Sequence, residues 1–208
     1  MKGQQEALSA ILISGILIGV VGSVYFWGVP LIQKNKDISL LETSESLMND
    51  LDGKIKAVAN NGGRDQMTVT VPGLVTFDGS TIDLEIETEG TIYATNAQIP
   101  LGRSVASNLK TDFTSGIPVK YGTWGVDDPV LFNVLSKEVT KGKYKNSYTL
   151  EYVELRNTKT LKDFRIDLTG QQTTGGMDSV IVIESQGDTT TLQNGRTLIT
   201  SNVKISIV

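Results

Sequence analysis

The stretch from Met1 to Asp37, MKGQQEALSAILISGILIGVVGSVYFWGVPLIQKNKD, decides how the rest of the chain is read. It is a removable signal, a plain membrane anchor, or a helix that assembles with copies of itself. No charged residue occurs from Ala7 to Ile32, where Leu, Ile and Val dominate. As a helix rising about 1.5 Å per residue, that run is roughly 39 Å long, against ~30 Å for the hydrocarbon core of a bilayer. A secretory signal core spans only about 7–15 residues, so the run is too long for one. Val21-Gly22-Ser23 offers a small-residue cleavage site, but cutting there leaves Val24-Tyr25-Phe26-Trp27 at a new N-terminus for no evident reason. The segment is therefore expected to stay on the chain and to cross a membrane once.

The next zone, from about Gln33 to Ala59, is polar but periodic. Leu41, Ser44, Met48, Leu51, Ile55 and Val58 recur at spacings of three and four, an apolar stripe of helical period interrupted once by serine. Glu42, Asn49, Asp52 and Lys56 occupy the opposite face. Gly53 costs about 1 kcal/mol of helix propensity without having to end the helix. Pro30 removes one helical N–H and is expected to kink the helix there. Asn60-Asn61-Gly62-Gly63 ends it, because Asn and Gly tolerate the left-handed conformation that closes a helix. Together the two zones predict one long kinked helix of about 50 residues, on the order of 75–80 Å. The stripe is too short for a free-standing coiled coil. It predicts packing against a following domain, with contact to neighbouring subunits as the alternative.

From about Gln66 onward the period changes from helical to alternating. Met67–Val71, Thr81–Glu87, Tyr148–Leu155, Phe164–Leu168, Ser179–Ile183 and Asn202–Val208 all alternate as half-buried strands do. Pro72-Gly73, Asp78-Gly79, Thr174-Gly175-Gly176, Gln186-Gly187-Asp188 and Asn194-Gly195 read as turns between them. The fold class predicted is α+β: a long N-terminal hydrophobic helix, residues 4–60, followed by an antiparallel β-sandwich of about seven to nine strands, residues 61–208, immunoglobulin-like in architecture.

Composition excludes several function classes. The chain has no cysteine and no histidine, which removes disulfides, zinc–thiolate sites and the usual general base. With 19 Lys and Arg against 23 Asp and Glu, scattered along the chain, it lacks the basic footprint of a nucleic-acid partner. No phosphate-binding loop, dinucleotide fingerprint or nucleophile elbow occurs, so no enzyme activity, cofactor or metal is expected. Asn49-Asp50-Leu51-Asp52-Gly53 lacks the ligand spacing of a calcium loop and lies within the helical stripe. Asp127 and Asp128 are adjacent, so in an extended segment they point to opposite sides and form no catalytic pair.

Lys2-Gly3-Gln4 stands directly before the apolar run. With that leader, the apolar helix, the amphipathic continuation and the β region in this order, the whole chain resembles the archaeal type IV pilin-like proteins with class III signal peptides. The resemblance implies a leader, residues 1–3, clipped by a prepilin peptidase between Gly3 and Gln4. It also implies a pilin-like fold and a role as a major or minor subunit of a surface filament. Its partners would then be copies of itself or related pilins, the membrane assembly machinery and the lipid bilayer. Glycine at the cut suits the close approach of an extended backbone to a protease cleft. Many relatives carry glutamate five residues after the cut; this chain has Leu8 there, with Glu6 nearby. The loop Trp124-Gly125-Val126-Asp127-Asp128-Pro129 also resembles one in these proteins, which implies a structural role. Lys2 lies before the apolar run and Lys34 and Lys36 after it, so charge counting favours neither orientation. The outside placement of the C-terminal domain follows from the resemblance.

Within the apolar run, Ala7, Ile11, Gly15, Gly19 and Ser23 fall on one line four residues apart. Small residues so spaced let helix backbones approach closely in lipid, and the line is read as an assembly face. Glycine is also simply common in membrane helices, which is the competing explanation. Tyr25, Phe26 and Trp27 near the outer end suit the membrane interface, where aromatic rings anchor. Two further readings of the whole chain remain: a single-pass, membrane-anchored extracellular binding domain, and a stator-like accessory protein of a motility filament.

Overall fold

The computed structural model describes residues 2–101 and 121–208, with side chains from Ser9 onward. In chain order the elements are α1 (Lys2–Asn61), β1 (Arg64–Thr68), β2 (Leu74–Phe77), β3 (Ile82–Thr88), β4 (Gln98–Leu101), β5 (Tyr121–Thr123) and β6 (Val130–Thr140). They continue with β7 (Lys143–Tyr152), β8 (Glu154–Arg156), β9 (Lys162–Thr169), β10 (Thr173–Gly175), β11 (Val180–Gln193) and β12 (Arg196–Ile207). The architecture is α+β, with one long helix followed by sheets in which antiparallel pairing predominates.

The helix has 60 residues, about 90 Å end to end, longer than the roughly 50 estimated, although its ends lie within two residues of the predicted bounds 4–60. It runs on through Pro30 as one unbroken element, since a proline removes a single N–H from a ladder of many. Its end follows the Asn-Gly signal: Gly62 adopts φ +72° and donates its N–H to the Val58 carbonyl at 2.9 Å, and Gly63 follows at φ +88°.

Every residue of the predicted stripe is buried. Leu41, Met48, Leu51, Ile55 and Val58 join strand residues such as Val75, Phe77, Leu84, Tyr148, Ile183 and Val203 in a single core. Ser44 fits there because its hydroxyl donates to the Leu40 carbonyl one turn back, at 2.6 Å, and leaves no polar atom unpaired. Leu47 is buried beside the stripe as well. The opposite face is less open than expected. Asp52 and Lys56 are partly covered, because Asp52 accepts the Tyr152 hydroxyl at 2.7 Å and Lys56 joins Asp52 to Asp128.

The described residues form twelve strands rather than seven to nine, in two six-stranded sheets. One has the order β1-β11-β12-β9-β8-β5, the other β10-β2-β3-β7-β6-β4. The helix touches β1, β11 and β12 of the first sheet and β3 and β7 of the second. Both sheets and the helix therefore share one core. Pairing is not purely antiparallel. β9 runs parallel to β12, and β5 parallel to β8. The β9–β12 pair is parallel because the chain leaves for β10 in the other sheet before returning through β11.

One predicted turn is no turn at all. Gln186-Gly187-Asp188 lies inside β11, where the register against β12 slips between Ser185 and Gly187 and Gly187 takes φ +83°. It is a β-bulge, which uses glycine for the same reason a turn does. Thr174 and Gly175, also read as a turn, fall inside β10 and pair with β2, and the turn follows at Met177-Asp178. Asp78-Gly79 and Asn194-Gly195 are as read. Asn194-Gly195, both at positive φ, closes the β11–β12 hairpin. Asp78 caps its own turn, accepting the backbone N–H groups of Ser80 and Thr81 at 2.8 and 2.7 Å.

Candidate functional site

The helix divides into two halves with opposite surroundings. From Leu41 onward it is locked in the core; before Gln33 it touches almost nothing. Ile11 is 71 % exposed and Trp27 86 %, although both are large and apolar. The helix is long and apolar enough to cross a membrane, and none of its most apolar stretch is buried. An apolar surface of this length requires a cover, either lipid or protein.

The residues read as an assembly face lie on this exposed half. Gly3, Gln4 and Ala7 fall in the helix, and their side chains are outside the described residues. At Gly15 and Gly19 an added Cβ would meet nothing within 4 Å, so the chain itself gives neither glycine a packing reason. Ser23 donates its hydroxyl to the Gly19 carbonyl at 2.8 Å, which makes it a small, satisfied surface rather than a free polar handle. Tyr25, Phe26 and Trp27 are all exposed, next to Pro30 within the same helix.

Where the helix enters the β domain, the β3–β4 loop folds over it. A cleft of about 500 Å³ lies between them. Asp37, only 6 % exposed, accepts the Gln33 side-chain amide at 3.1 Å in its wall. A polar network ties the loop down: Asn146 donates to Thr88 at 2.9 Å and accepts from Thr91 at 3.1 Å, and Ser136 donates to Thr91 at 3.1 Å. Tyr93 donates to Glu45 at 3.3 Å and lies 3.2 Å from the Tyr148 hydroxyl, which donates to the Leu41 carbonyl at 3.1 Å. Burial, opposed by the Tyr148 hydrogen bond, pushes the Tyr93 phenol up to about 12, and burial drives Tyr148 higher still. Both tyrosines are thus fixed as neutral hydrogen-bonding struts.

β1 runs back along the helix toward the apolar half. Lys54 pairs with Asp65 at 2.8 Å, Leu47 and Met67 border one surface depression, and Ile32 and Pro72 border another. β11 is antiparallel to β1 and so runs the other way. Past Glu184, the partner of Arg64, it continues to Gln193 and the Asn194-Gly195 turn. That hairpin is the end of the molecule remote from the apolar helix.

A second cleft, of about 430 Å³, opens on the same remote side. Lys56, Asn60, Trp124, Asp127, Phe164 and Ile199 contribute to its lining. Trp124 stacks on Phe164 with ring centroids 4.0 Å apart. Asp127, 7 % exposed, closes its own loop by accepting the Thr123 N–H at 2.6 Å, while Asp128 is held by Lys56. The two aspartates thus have separate partners and separate tasks in shaping the loop.

Sequence reasoning did not single out Asp37, Tyr93 or Ile92. For Asp37 a signal existed: it lies one turn before Leu41 and continues the buried stripe. Tyr93 and Ile92 sit in a loop with no periodicity, and only the fold brings them to the helix. No protein-family model, no curated protein and no solved structure matches the chain.

Proposed function

We propose that the chain is a structural subunit, major or minor, of an archaeal type IV pilus-like surface filament. Its leader is clipped between Gly3 and Gln4 by a prepilin peptidase, and the apolar half of α1 holds it in the membrane as a single-pass protein. On assembly the helices leave lipid and pack together along the line Ala7, Ile11, Gly15, Gly19 and Ser23. The C-terminal domain, read as a pilin-like β-sandwich, faces outward. The observation that carries this reading is the division of one continuous helix: its first half is apolar and uncovered, its second half is part of the domain core. Such a rod transmits any packing of its free half directly to the placement of the domain.

The small-residue line supports close backbone approach, which dispersion favours where lipid gives no hydrophobic drive. The test is a membrane two-hybrid assay of self-association. Gly15→Ile and Gly19→Ile are expected to weaken the signal well below that of Leu17→Ile on the opposite face of the helix, and unchanged association removes the assembly face. A second reading, a single-pass anchored binding domain, is favoured by one observation. The cleft beside Trp124 lies on the side of the domain remote from the apolar helix, where a tethered receptor would present it.

A further inference from the structure

We propose that the cleft between α1 and the β3–β4 loop is a phospholipid contact that seats the β domain on the membrane surface, with Ile92 dipping among the lipids. The inference rests on reading the apolar half of α1 as membrane-spanning. Counted from Ala7, ~30 Å of hydrocarbon is filled after about 20 residues, near Trp27. Val29 and Pro30 then lie roughly 4 Å beyond, at the depth of the headgroups. These two residues and Ile92, which is 49 % exposed, border the cleft, so the loop reaches the same depth as the helix exit.

The lining has the polarity of a lipid turned the right way round. Val29, Pro30 and Ile92 provide an apolar border. Gln33, Lys34 and Asp37, further along the helix, with Glu89 on the facing loop provide a polar one that offers an ammonium to the phosphate and a carboxylate to a headgroup amine. Among the described residues Lys34 takes part in no ion pair, so its ammonium is available to a lipid phosphate, with the apolar stem lying along the helix. Asp37 is already engaged with Gln33. The loop itself is anchored rigidly from behind by Thr88, Thr91 and Asn146, so Ile92 is presented at a set depth. An exposed isoleucine at that level is unfavourable in water and favourable among acyl chains.

The chain has no cysteine, so single-cysteine labelling needs no background substitutions. Leu17→Cys, Ile92→Cys and Thr189→Cys, each in the full chain, would carry a polarity-sensitive fluorophore. The proteins would be reconstituted into vesicles of phosphatidylcholine and phosphatidylglycerol, with and without lipid bearing a headgroup nitroxide. Labels at 17 and 92 are expected to be blue-shifted, the one at 92 strongly quenched by the nitroxide, and the one at 189 neither. A label at 92 that behaves like the one at 189, while 17 reports lipid, overturns the inference and leaves the membrane-spanning helix standing. If 17 also reports water, both readings fail together.

Discussion

Ile55→Ala tests whether the second half of the helix is part of the domain core rather than a stalk beneath it. Ile55 is fully buried in the core shared by both sheets. The substitution removes three carbons, about 2.4 kcal/mol at ~0.8 kcal/mol per buried methylene. Incomplete collapse of the resulting cavity raises the cost to about 3–4 kcal/mol, inside the ~2–5 kcal/mol range of such truncations. Alanine's better helix propensity returns only a few tenths of about 1 kcal/mol. For a domain of this size, about 3 kcal/mol corresponds to a fall in Tm of roughly 6–12 °C. Thermal unfolding of the full chain in detergent, followed by near-ultraviolet circular dichroism, reads the packing of Tyr148 and Tyr152 in the same core. Ile16→Ala, on the exposed half, serves as the control and is expected to leave that transition where it is. A loss below about 1 kcal/mol for Ile55→Ala, with the helix intact, would refute the shared core.

Two carboxylates give opposite pH dependences. The bidentate hydrogen bond from Arg196 holds the Asp163 carboxyl below its ordinary value of 3.8, so its stabilisation is complete above that pH and is lost as pH falls through the folded pKa. Acid titration of Asp163→Asn is expected to show a shallower loss of stability below pH 3.8 than the parent. Burial raises the Asp52 carboxyl above 3.8 despite Lys56 and the Tyr152 hydroxyl, so its contribution is present below that pH and declines as pH rises through the folded pKa. Asp52→Asn is expected to flatten that decline in denaturant titrations at stepped pH above 3.8, and an unchanged slope contradicts the assignment. Gly170→Ala is expected to cost more than about 2 kcal/mol, measured by urea unfolding: φ is +140° and a Cβ would strike the Ile205 carbonyl oxygen.

Much of the helix was legible because its information is local. The stripe from Leu41 to Val58 shows burial at a period of 3–4, and Asn60–Gly63 shows its end. Strand β3 was legible for the same reason, as was the second half of β7, although the alternation read over Tyr148–Leu155 runs past the end of β7 at Tyr152 into β8. β6 was not, because Leu131, Phe132, Asn133 and Val134 are buried in succession, which erases the period-two signal. β5, β8 and β10 have three residues each and are too short to alternate visibly. The parallel β9–β12 pairing was beyond any local reading, since it depends on a strand of the other sheet lying between them in sequence. At the functional end, the exposed apolar half of the helix was plain from composition. The loop that meets it at Ile92 was hidden, because contacts between distant segments leave no periodic trace.

The central claim is that the apolar helix is kept, freed of its leader and built into a filament. Mass spectrometry of the N-terminal peptide, from material sheared off the cell surface, tests this most directly. The account predicts a peptide beginning at Gln4. An intact Met1-Lys2-Gly3 in that material would contradict it and leave the chain a plain membrane anchor.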